Sequence, residues 1–153
     1  MKEQYKELKE DVLDEQKAID ETIERLLKAK ESFHPQRQDY LAEPAMGTYL
    51  MNFYNGIENI LKRISKEYYS IMPTGNSWHK ELLNLSYNAP KGKIAIFDQG
   101  IVEKLVTYRN FRHRFISGYG FQLKGEKMLE LIDNIESLWD EVKKAIAEFF
   151  TKL

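Results

Sequence analysis

The chain of 153 residues contains no cysteine, which excludes a disulfide framework and thiolate metal sites. Its three histidines, His34, His79 and His113, are far apart and do not supply the two Glu-x-x-His pairs of a di-metal bundle. A di-iron or zinc helical bundle therefore lacks its ligands, and neither metal nor cofactor is expected. There is no run of about 18 apolar residues and no signal-peptide pattern, so the expectation is a cytoplasmic protein away from membranes. The net charge of −1 provides no global basic field, so contact with a polyanion would have to come from a local patch. No pair of strand-like runs flanks a hairpin turn. Lys93–Phe97 is the only β-like stretch, and there is no repeat or low-complexity segment.

What is present is helical periodicity. Tyr5, Leu8, Val12, Ile19, Ile23, Leu26 and Leu27 recur at three- and four-residue steps, predicting a long helix over 1–32. Its stripe thins near Glu15 and Gln16, which implies partial burial. Pro35, Pro44 and Gly47 mark a connector over 33–47. A second helix is expected over 45–71, with Leu50, Phe53, Tyr54, Ile57, Ile60, Leu61, Ile64 and Tyr68 on its apolar face and Glu58 one position off it. Tyr68 then falls at the core edge and Tyr69 at the surface. Pro73, Gly75 and Asn76 stop this helix, and Ser77 is placed to cap a short one over Trp78–Leu85. Ala89 to Gly92 is a turn. Further helices are expected over 98–115 and 125–152, the latter carrying Met128, Leu131, Ile132, Ile135, Leu138, Trp139, Val142, Ile146 and Phe149. The expected fold is an all-α antiparallel bundle of four to five helices in a single domain, 1–153.

The densest chemistry lies between Tyr108 and Tyr119, where Arg109, Arg112, Arg114 and His113 crowd the end of a helix and Gly118 and Gly120 flank a tyrosine. Guanidinium groups gathered in this way suit a phosphate-containing partner. Arg112 is near the apolar stripe, where a charge has to be paired or solvated in a cleft. It is either a phosphate ligand or half of an ion pair with Glu58. Arg109 and Arg114 are surface groups or contacts to such a partner. Glu58 is either structural or holds an arginine in place. Trp78 and His79 anchor the short helix, or the His79 ring lines the cleft. His34 has no assigned role.

Two segments together resemble the HepT-like branch of the HEPN superfamily. One comprises Tyr54–Ile64 (YNGIENILKRI) followed by Pro73–Leu83 (PTGNSWHKELL). The other comprises Phe111-Arg112-His113 followed by Tyr119–Leu123 (YGFQL). The resemblance covers about residues 49–150. It implies a four- or five-helix bundle that pairs as a homodimer, with the ribonuclease motif R-x-x-x-x-H-x-Y of each protomer facing a cleft at the dimer axis. It also implies RNA cleavage without a metal: the arginine stabilises the phosphate, and the histidine acts as acid or base on the 2′-hydroxyl. A further implication is a toxin–antitoxin system, in which a minimal nucleotidyltransferase antitoxin adds AMP to the motif tyrosine. The RNA would be a tRNA or mRNA.

Carried onto this sequence, Arg112 matches the motif arginine and Tyr119 the motif tyrosine, which makes Tyr119 the candidate for modification by AMP. Ser117 stands where the histidine belongs, and Ile116 where this branch often has a second arginine. A serine hydroxyl does not titrate near neutral pH, and loss of a general acid–base group costs about 10²–10⁴-fold in rate. His113 either takes over the chemistry, sharing a helix face with Arg109 four residues earlier, or orders Arg112 and contacts phosphate. Two functional expectations follow. One is a metal-independent RNA endonuclease fold impaired at Ser117, with a cleft formed by Arg112, His113, Ser117 and Tyr119 of both chains. The other is a non-catalytic module that binds RNA or nucleotide beside a nucleotidyltransferase.

Overall fold

The structure, a computed structural model, describes residues 1–37, 40–118 and 124–153. After a short 3₁₀ turn at Glu3–Tyr5, five α-helices follow: α1 (Lys6–Ser32), α2 (Ala42–Ile64), α3 (Trp78–Tyr87), α4 (Gln99–Ser117) and α5 (Gly125–Thr151). No strand forms among the described residues. None of their helices is long and apolar enough to cross a membrane.

The pairing of side chains across helices fixes their directions. Arg63 reaches Asp11 at 3.2 Å while Ile19 lies against Gly56, so α2 runs antiparallel to α1. Lys30 binds Asp133 at 2.5 Å and the Trp139 indole donates to Asp20 at 2.6 Å, so α5 is also antiparallel to α1. Tyr108 donates to the Leu131 carbonyl at 2.5 Å and Lys104 pairs with Glu141 at 2.9 Å, which sets α4 antiparallel to α5. The result is the expected all-α antiparallel bundle. Its core is continuous from Leu8 and Val12 through Phe53, Ile57 and Leu105 to Trp139 and Phe149. Phe53 stands at its centre, edge-on to Tyr108 at 5.3 Å and to Trp139 at 6.2 Å; such aromatic pairs add about 0.5–1.5 kcal/mol beyond area burial.

Several local features differ from the sequence expectation. Helix α2 begins at Ala42, so Pro44 lies inside its first turn, where a missing N–H forfeits no helical bond. At its other end the chain widens into a π-type turn over Ser65–Tyr69, closed by Ser70 in the left-handed region at φ 58°. This turn rotates Tyr69 inward. It is buried rather than at the surface, and its hydroxyl donates to the Ile94 carbonyl at 2.7 Å. The Tyr68 hydroxyl accepts from the Ile94 N–H at 2.9 Å. The β-like run 93–97 is thus pinned by two tyrosines and by Ser86, whose carbonyl accepts from Ile96 and Phe97. Ser77 occupies the cap position of α3, but its side chain makes no cap bond. Asp98 does cap α4, accepting from the Ile101 N–H at 2.8 Å. The Glu43 carboxylate accepts from the Gly125 N–H at 3.2 Å, which satisfies the start of α5 from the start of α2.

Candidate functional site

Three helices meet at one end of the cationic cluster. From α4, the Arg112 Nε donates to the Asn55 side-chain oxygen on α2. Arg112 is half-buried, as is Arg109 one turn earlier. Three residues beyond Asn55, Glu58 is buried at 2 % exposure, although the sequence placed it off the apolar face. Its carboxylate lies 2.5 Å from Nδ1 of His79, the second residue of α3. Of the two readings of Arg112, the ion pair with Glu58 is not made among the described residues. Asn55 takes the arginine and His79 takes the carboxylate. The Glu58 side chain is 3 % exposed and that of His79 is 28 % exposed, so this contact bridges the core and the surface.

Around this pair, the Trp78 ring lies 3.6 Å from that of His79, and Lys62 sits 4.5 Å over Trp78. Tyr54 is fully buried beneath, and its hydroxyl has no hydrogen-bond partner among the described residues. Burial, reinforced by the Glu58 charge, pushes the Tyr54 phenol well above its ordinary value, while Arg109 and Arg112 pull the other way. Tyr54 thus lies in the field of both the acid and the two arginines. These contacts place Asn55, Glu58, His79, Arg109 and Arg112 in one neighbourhood.

The remaining expected site residues face elsewhere or lie outside the described part. His113 and Arg114 line a different surface, a groove of about 830 Å³ between α4 and α5 that also includes Asn110 and Lys127. Successive helical residues point about 100° apart, so Arg112 and His113 cannot share one face. Ser117 is exposed at the last turn of α4. Tyr119 lies outside the described residues. His34 is exposed in the connector after α1. Among the described residues no group of three or more His, Asp or Glu side chains is arranged as a metal site.

Arg25 and Arg63 each meet carboxylates, yet Arg109, Arg112, His113 and Arg114 have no acidic partner among the described residues. With Nε committed to Asn55, the terminal nitrogens of Arg112 have no partner there and can fork onto a phosphate. The sequence marked each of these residues singly. It missed Asn55, whose signal was its position three residues before Glu58 on α2.

The described residues thus form an all-α bundle that presents half-buried, carboxylate-free arginines near a carboxylate–imidazole contact. Residues 45–153 match the family described as HepT-like protein, and the chain belongs to that family, within the HEPN superfamily. No curated protein and no solved structure is a significant match.

Proposed function

We propose that the chain acts on RNA as a HepT-like toxin, gripping a phosphodiester at the α4 end with Arg112 and Arg109. The observation that carries this reading is the cluster of arginines without carboxylate partners, one of them oriented by Asn55. A half-buried guanidinium without an acid is costly unless an anion visits it. Arg112 stabilises the phosphate, and Arg114 and His113 contact the flanking backbone from the α4–α5 groove. The active form is a homodimer, with two α4 ends contributing to one cleft. A minimal nucleotidyltransferase serves as antitoxin and transfers AMP to Tyr119. The protein works in the cytoplasm.

A binding-only version of this reading is favoured by Ser117, whose exposed hydroxyl offers no acid–base chemistry at neutral pH. Salt-dependent RNA binding tests what both versions share. Arg112→Ala should weaken affinity about 10-fold or more and reduce the salt slope by about 1. Unchanged affinity and slope would remove Arg112 from the site.

A further inference from the structure

We infer that Glu58 and His79 form the acid–base dyad of this site, with His79 supplying the function that Ser117 cannot. The inference rests on the RNA reading above and adds the identity of the base.

Three observations carry it. First, the contact is built as an oriented base: a buried carboxylate holds Nδ1 of a partly exposed imidazole at 2.5 Å. With Nδ1–H donating to Glu58, the lone pair is left on Nε2, which has no partner among the described residues. This is how a carboxylate fixes the tautomer and orientation of a histidine that takes up a proton. Second, the dyad is adjacent to the phosphate clamp. Asn55 and Glu58 are neighbours one turn apart on α2, with Cβ atoms about 5–6 Å apart; one holds Arg112 and the other holds His79. Third, the alternatives are worse placed. Ser117 does not titrate in the working range, and His113 lines the groove on the other side of α4.

In the step that follows, His79 Nε2 removes the proton from the RNA 2′-hydroxyl. The 2′-oxygen bonds to the adjacent phosphorus, whose charge Arg112 stabilises. The bond from phosphorus to the 5′-oxygen breaks, and that oxygen takes a proton from water. The products are a 2′,3′-cyclic phosphate and a 5′-hydroxyl, and His79 returns its proton to solvent. No oxidant, reductant or further reactant is needed.

The test measures binding and cleavage of one labelled single-stranded RNA by the full chain, without added divalent cation. His79→Gln keeps an amide N–H to satisfy the buried Glu58 carboxylate but removes the base. Its cleavage should fall about 10²–10⁴-fold while its affinity stays within about twofold of native. His79→Ala opens the site, and added imidazole should restore part of its cleavage, which a merely structural role would not allow. Circular dichroism checks that each variant is folded. Native-level cleavage by folded His79→Gln overturns the dyad, and so does a native protein that binds RNA in an Arg112-dependent way without cutting it. A native protein that does not bind RNA overturns the underlying reading instead.

Discussion

Tyr54→Phe isolates one term of the site's energetics. The Tyr54 ring is fully buried, and its hydroxyl meets no donor or acceptor among the described residues. An unsatisfied buried hydroxyl costs about 1–3 kcal/mol. Phenylalanine keeps the ring and removes that cost, leaving a void smaller than a methyl group, whose own penalty is below about 1 kcal/mol. The first effect exceeds the second, so the variant should be more stable by about 1 kcal/mol. For a chain of this length that raises the unfolding midpoint by about 2–4 °C. Because the hydroxyl is sealed from solvent, RNA affinity should stay within about twofold. Thermal unfolding followed by circular dichroism, paired with an RNA-binding titration, measures both. A loss of about 1 kcal/mol or more would refute the reasoning, since it would mean the hydroxyl is hydrogen-bonded in solution.

Other perturbations have equally definite signs. Gly56→Ala places a methyl 2.5 Å from Ile19 Cγ1 in the α1–α2 contact, so the gain in helix propensity is outweighed and urea unfolding should show a loss of about 1–3 kcal/mol. Asp20→Ala leaves the Trp139 indole N–H without its acceptor and should cost about 1–3 kcal/mol by the same assay. Burial raises the phenols of Tyr54, Tyr69 and Tyr108 above 10 in the folded state. The unfolded chain therefore loses these protons first, and stability should hold below about pH 10 and fall as pH rises beyond it. Urea midpoints at pH 8 and 10.5 check this, with Tyr108→Phe showing the shallower fall.

The apolar stripes of α1, α2 and α5 were legible because each repeats at the helical period over several turns, and burial follows that period closely. Features set by a single backbone deviation were not. Nothing in Ser65–Tyr69 marks a widened turn, yet that turn decides that Tyr69 points inward and ties down Ile94. Pro44 reads as a breaker unless the helix is known to begin two residues before it. The site was legible as a list of residue types and illegible as a set of partners. Arg112 and Glu58 are natural ion-pair candidates by charge. The choice between Glu58 and Asn55 depends on where α3 approaches α2, and the loop before Trp78 hides that from any periodicity.

The spacing of the motif makes a final, sharper prediction. On a helix, residues five apart point about 140° from each other. A histidine at position 117 and the arginine at 112 therefore diverge within one protomer, and would meet at one phosphate only across a dimer cleft. Asn55, which holds Arg112, and Glu58, which holds His79, by contrast lie one turn apart on α2 in one protomer. Ser117→His consequently distinguishes two designs. If the site has no base of its own, the substitution should raise RNA cleavage by about 10²–10⁴-fold. If His79 already supplies the base, a second histidine adds little, and the rise should stay below about 10-fold. The double variant, His79→Gln with Ser117→His, decides between them. Under the dyad reading it should recover cleavage that His79→Gln alone has lost, because the new histidine becomes the only base. A large rise from Ser117→His in the otherwise native chain, undiminished by His79→Gln, would show that the dyad takes no part in the chemistry.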